Sequence, residues 1–202
     1  MITVVGNLKG GTGKSTVVFN LGLWLAAAEK PLMLCDLDPQ KTLRDAVDVR
    51  FEEGFMPSVS VFGALPKKAV GDVLVDVGLS DMNAVKHALG HANRVVIPVT
   101  PSQADVWATQ QFCTIIEEST EGREKPQVLA FVNRADTHPA ASENAETQDA
   151  LRQIPGLTVL DHMLSQRLAF RRSFSEGLGV FEMEPRGKAA TELNILAETL
   201  FA

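Results

Sequence analysis

The sequence has only two cysteines, no excess of basic residues and no long hydrophobic run, and each absence excludes a class of protein. Cys35 sits in an apolar stretch and Cys113 in a helical pattern, and neither has a metal-like or redox-like neighbour. A disulfide scaffold is therefore excluded, and buried, reduced thiols in a cytoplasmic protein are expected. With 19 basic against 25 acidic residues the net charge is -6, which argues against a constitutively basic nucleic-acid binder but leaves room for a local basic face. The longest apolar stretch, around residues 21–28, is far too short to span a bilayer. The opening Met1-Ile2-Thr3-Val4-Val5-Gly6 has no basic leader region or cleavage pattern, so no signal peptide is expected. The last turns, from Ala189 onward, form an amphipathic pattern with acids and no lysine on the polar side. That composition suits docking on a core better than an anionic membrane. No repeat or low-complexity tract interrupts the chain, and residues 1–202 are expected to form one domain.

What is present is a globular composition, 45% hydrophobic and 22% charged. Apolar runs at 2–5, 32–37, 73–77, 95–99, 128–132 and 157–160 read as buried strands, with a weaker edge strand at 59–62. Helical patterns fall between them at 14–28, 40–49, 81–91, 102–119, 142–153 and 187–201, and loops at 51–58 and 136–146. Ser102, three residues before Asp105, is a helix-start signal. The alternation predicts an α/β fold: a doubly wound, mostly parallel sheet with helices on both faces and ligands at the carboxyl ends of its strands.

The first strand runs into Lys9-Gly10-Gly11-Thr12-Gly13-Lys14-Ser15-Thr16 and then a helix. Glycines let this backbone curl its N–H groups into an anion-binding nest at the helix N-terminus. Lys14 is placed to reach the β- and γ-phosphates, and the Ser15 hydroxyl to bind Mg²⁺. The usual phosphate-loop pattern needs glycine at position 8, where this chain has Leu8. What it matches instead is K-G-G-x-G-K-[ST]-T, and here the sequence resembles the ParA/MinD family of deviant Walker ATPases. The resemblance implies ATP and Mg²⁺ as ligands and Lys9 as a residue that crosses a dimer interface to the other subunit's nucleotide. A cation in that place both joins the dimer and stabilises charge on the transferring phosphoryl group.

Three aspartates follow at strand ends. In Cys35-Asp36-Leu37-Asp38-Pro39-Gln40 alternation points both carboxylates to one side, where they can hold metal-bound waters and orient an attacking one. This run looks like the family's D-x-D-P-Q segment, which gives Asp38 the hydrolytic role and Asp36 a supporting place in the metal shell. Asp38-Pro39 also reads as a strand end capping the next helix, and the two readings are compatible. Asp76 closes Val73-Leu74-Val75-Asp76 in Walker B form and is expected to hold Mg²⁺ through water. The following Val77-Gly78-Leu79-Ser80 departs from the Thr-Pro-Pro or glycine-rich run common in the family.

Asn133, after another apolar strand, reads either as a turn-former or, by the resemblance, as the amide that reads the adenine edge with Arg134 beside it. Pro98 to Ala108 is similar to the family's P-V-x-P-S-x-x-D-x-W-A stretch, making Asp105 and Trp107 packing or dimer-relay residues, with helix capping the other reading for Asp105. Arg167, Arg171 and Arg172 lie in a segment without acids, and if it is helical Arg167 and Arg171 share a face, with Phe170 and Phe174 on another. The resemblance makes these arginines, together with Lys188, DNA-phosphate contacts; a solvated helix face is the alternative. It further implies an ATP-dependent homodimer on the nucleoid, non-specific DNA binding, and a ParB-like or other cargo adaptor that stimulates hydrolysis. The chain starts almost at the phosphate loop, so no N-terminal helix-turn-helix is expected. A MinD-like membrane ATPase and an ATP-dependent synthetase on the same fold are the alternatives, and no membrane association is expected.

Overall fold

The computed structural model describes residues 1–138 and 141–201. Positions 139 and 140 of the expected 136–146 loop, and the final Ala202, lie outside the described residues. In chain order the elements are β1 (Ile2–Val5), α1 (Lys14–Ala27), β2 (Leu32–Asp36), α2 (Thr42–Glu52), β3 (Val61–Phe62), β4 (Asp72–Asp76), α3 (Met82–Leu89) and β5 (Arg94–Val99). They continue as α4 (Gln103–Ser119), β6 (Gln127–Ala135), α5 (Glu143–Arg152), β7 (Thr158–Val159), β8 (Leu164–Ser165), α6 (Leu168–Ser175), α7 (Val180–Met183) and α8 (Lys188–Phe201).

The strands form one sheet in the order β3-β2-β4-β1-β5-β6-β7, with β8 added to the end of β6. Every pairing among the described residues is parallel. Side chains alternate between two cores because successive residues of a strand face opposite ways. Val5, Leu34, Leu74, Val96 and Phe131 point to one face, beneath α1, α2 and α8. Val4, Cys35, Val75, Ile97 and Ala130 point to the other, beneath α3, α4 and α5. Coverage of both faces is why these strands read as continuous apolar runs. The expected doubly wound α/β architecture is the observed one.

The edge position of the weak strand also holds, since β3 pairs only with β2 among the described residues. Some boundaries differ. The second helix begins at Thr42 because Lys41 takes a left-handed conformation (φ 58°), and it continues to Glu52, into the segment expected to be loop. The strand expected at 157–160 is paired only at Thr158 and Val159. β8 and α7 were not anticipated; each is too short to show a period. Arg50, 1% exposed, makes a double contact with Glu182 at 2.8 Å and also donates to the carbonyls of Pro57 and Gly177, tying α2 to α7. Chain ends obey the core as well: α8 buries Leu193, Leu196, Ala197 and Leu200. No helix among the described residues is long and apolar enough to cross a membrane.

Candidate nucleotide site

The site lies at the carboxyl end of β1, where the chain, after winding out to β2 and β3 and back to β4, crosses to β5 on the other side. Parallel α/β sheets place ligands at such reversals. A cleft of about 680 Å³ opens there, walled by Gly10, Gly11, Gly13, Lys14, Ser15 and Thr16 of the loop, by Asp38, and by Asn133 and Arg134. Gly13 has φ 86° and immediately precedes α1, so the loop N–H groups converge on a helix N-terminus. Lys14 is buried at the first position of that helix and its Nζ donates to the Lys9 carbonyl at 3.3 Å. Burial pushes its pKa down, opposed by the carboxylates of Asp76 and Asp38.

The aspartates divide their tasks. Asp38 is on the cleft wall, with one oxygen accepting from the Gln40 N–H at 2.9 Å. Its carboxylate fits only because residue 78 is glycine: a Cβ there would lie 2.2 Å from Asp38 Cγ. Gly78 is thus a site residue missed from the sequence. Asp36 is fully buried, and its two oxygens accept from the N–H groups of Asp38 at 3.0 Å and Arg44 at 3.1 Å. It therefore holds the turn that carries Asp38, and like Asp76 it lies behind the cleft wall rather than on it. Burial raises the pKa of Asp36, and backbone N–H donors oppose the rise.

Asp76 is also fully buried, yet neither of its oxygens has a hydrogen-bond partner among the described residues. Burial pushes its pKa up to about 7; the Ser15 hydroxyl, near enough to temper that rise, does not reach hydrogen-bond geometry. An unpartnered buried carboxylate is costly unless something else satisfies it. Asp76 with the Ser15 hydroxyl fits a hard divalent cation that keeps most of its waters. No group of three or more acid, histidine or cysteine side chains able to hold a metal gathers among the described residues, so a self-sufficient protein cage is not the design.

Lys9 is turned to α4. Its Nζ contacts Asp105 Oδ2 at 2.6 Å, and the same carboxylate accepts from the hydroxyls of Thr100 and Ser102. Burial pushes the Asp105 pKa up, but these donors outweigh it and leave the carboxyl below its ordinary value. Ser102 also accepts from the Asp105 N–H at 3.1 Å, so the helix-start reading and a functional contact coexist. Trp107, two residues on and on the opposite side of α4, is 59% exposed.

A protein-family model described as the CobQ/CobB/MinD/ParA nucleotide binding domain matches residues 3–180. The chain belongs to that family. The "Maintenance of carboxysome distribution protein A" of Halothiobacillus neapolitanus is 30% identical, covering 97% of this chain and 94% of that protein. "Protein ParA" of Rhizobium radiobacter is 26% identical over 92% of this chain and 87% of its own. Among solved structures, apo McdA from Cyanothece superposes with a TM-score of 0.81 at 14% identity, over 99% of each chain. The family is that of ParA-like partition and positioning ATPases, and the sheet described above is its P-loop fold.

Other expected residues are brought together less fully. Asn133 and Arg134 reach the cleft, but both side chains donate to the phosphate loop itself, to the carbonyls of Thr12 at 2.6 Å and Gly11 at 2.5 Å. The arginine cluster separates. Arg167 precedes α6 in an extended conformation, so it does not share a helical face with Arg171. It is paired with Glu192 at 2.6 Å, and both Arg167 and Arg171 line the nucleotide cleft. Arg172 pairs with Glu176 one turn on, while Arg171, Arg172 and Lys188 are all exposed. Phe170 and Phe174, partly buried, pack against the core. Both cysteines are free, and burial pushes each thiol up to about 11, which disfavours the thiolate.

Proposed function

We propose that this chain is a ParA-like positioning ATPase whose ATP-bound form is a sandwich dimer that binds DNA without sequence preference and is released from it when a cargo-borne adaptor stimulates hydrolysis. One observation carries the reading: a complete phosphate loop that adds Lys9, at its rim, to the unpartnered Asp76 behind Ser15. Gly10 to Thr16 bind the triphosphate through backbone N–H groups, and Lys14 neutralises its charge. Ser15 and Asp76 hold Mg²⁺, which when bound shields phosphate charge. Asp38, on the cleft wall and clear of Gly78, orients the attacking water and accepts its proton. Lys9 leaves Asp105 and enters the other subunit's site, where its charge stabilises the transferring phosphoryl group.

DNA contact falls to the exposed Arg171, Arg172 and Lys188; Arg167, tied to Glu192, contributes less than its sequence position promised. Dimerisation doubles such a modest patch, so an acidic protein can bind DNA in one nucleotide state only. The cargo best supported is a protein assembly, after the carboxysome-distribution relative, with a plasmid, as for the ParA relative, the second reading. The test is DNA binding by ATP-loaded Asp38→Ala protein across a salt series. Binding should be sequence-independent, fall steeply with salt, and vanish with ADP or on combined Arg171→Ala and Arg172→Ala substitution. Equal binding with ADP, or none with ATP, would refute the proposal.

A further inference from the structure

Strand β6 ends in an irregularity that changes what its last polar residues do. Against β8, Asn133 pairs with Leu164 and Ala135 with Ser165, so one β8 step is matched by two on β6 and Arg134 is the extra residue. Arg134 has φ 57°, a left-handed conformation that non-glycine side chains rarely adopt. In a regular strand two successive side chains point to opposite faces; a bulge breaks that alternation and re-aims a side chain. Here both land on the phosphate loop. The Asn133 amide donates to the Thr12 carbonyl at 2.6 Å and the Arg134 guanidinium to the Gly11 carbonyl at 2.5 Å. Asn133 is 7% exposed, and a Cβ on Gly13 would sit 2.6 Å from its Nδ2, so glycine at 13 is needed for this contact as well as for the turn.

A trans peptide points the C=O of one residue and the N–H of the next in opposite directions. Holding the carbonyls of Gly11 and Thr12 against β6 therefore turns the N–H groups of Thr12 and Gly13 away from it. From this geometry we infer that Asn133 and Arg134 are positioning residues that preset the phosphate nest. They act on the triphosphate through the loop, and the bulge at Arg134 exists to bring both donors to it. This rests on reading the cleft as an ATP site, and it changes the expected role of Asn133. One of its two amide N–H donors is engaged by Thr12, which leaves the other and Oδ1 to face a base.

Nucleobase reading and loop positioning are separated by ligands that lack the adenine. Affinities of MgATP, MgGTP and magnesium tripolyphosphate can be measured on the full chain by displacement of a fluorescent ATP analogue. For Asn133→Ala and for Arg134→Gly, ATP and tripolyphosphate should weaken together, each by about tenfold, as expected for one lost hydrogen bond to a loop carbonyl. The ATP-to-GTP ratio should stay where it is in the parent. Glycine accepts the left-handed conformation at 134 without strain, so Arg134→Gly should keep or raise the melting temperature while loosening the loop. Hydrogen exchange at residues 10–14 of the free protein should rise in both variants, and Arg134→Lys, which keeps a donor, should recover part of the loss. Unchanged tripolyphosphate affinity and loop exchange, with a collapsed ATP preference, would overturn the inference and return Asn133 to base reading. A parent protein that binds no ATP would instead refute the nucleotide reading itself.

Discussion

Asp76 is an ordinary strand-end carboxylate by sequence and an extraordinary one by environment. Its pKa near 7 lies above the unfolded value of about 3.8, so the folded chain binds more protons between those limits. Its contribution therefore lowers stability as pH rises from about 4 to about 7, by on the order of 4 kcal/mol in total. Asp76→Asn should remove that loss. In urea unfolding of the nucleotide-free protein, the variant should exceed the parent at pH 8 and match it near pH 4. A constant gap across that range would mean that the buried carboxylate is satisfied by something else. Gly78 makes a second prediction at this scale. Gly78→Ala must displace the Asp38 carboxylate, so kcat should fall by about ten- to a hundredfold with ATP affinity nearly unchanged. Equal loss in both would place Gly78 in binding. Asp76 and Asp38 were legible because each ends an apolar run; Gly78 was not, because a close approach between residues forty positions apart leaves no local pattern.

At the scale of elements, the Lys9–Asp105 ion pair couples the phosphate loop to α4. Lys9 rests on Asp105 at 2.6 Å, and in the proposed dimer it leaves that carboxylate to serve the other subunit. Asp105→Asn weakens the hold. The variant should form the ATP-dependent dimer at lower ATP concentration, while losing about 1–3 kcal/mol of stability because buried donors lose a charged acceptor. Dimerisation that needs more ATP than the parent would show that Asp105 assists the crossing. The elements themselves were largely readable, since fully covered parallel strands and long helices give strong, distinct periods. What escaped was short or non-local. β8 and α7 have too few residues for a period, and the bulge at Arg134 is defined by pairing with a segment thirty residues away. The shared face of Arg167 and Arg171, expected if the segment is helical, does not form because α6 begins at Leu168, after Arg167.

On the scale of the whole molecule, the architecture makes a nucleotide site that is nearly complete within one chain. The phosphate loop, Asp76 and Asp38 converge at the sheet's reversal, and Asn133 and Arg134 of β6 donate to the loop. Lys9 is the exception, because its function in this reading lies outside its own subunit. In the proposed dimer ATP is a switch before it is a fuel, and Lys9 adds its charge to the cleft only when two copies meet. The direct test is light scattering of parent and Lys9→Ala proteins with and without ATP, beside a nucleotide-binding measurement. The parent should double its mass on adding ATP, and Lys9→Ala should stay monomeric while still binding nucleotide. A Lys9→Ala protein that dimerises with ATP as the parent does would show that the crossing lysine is not the switch.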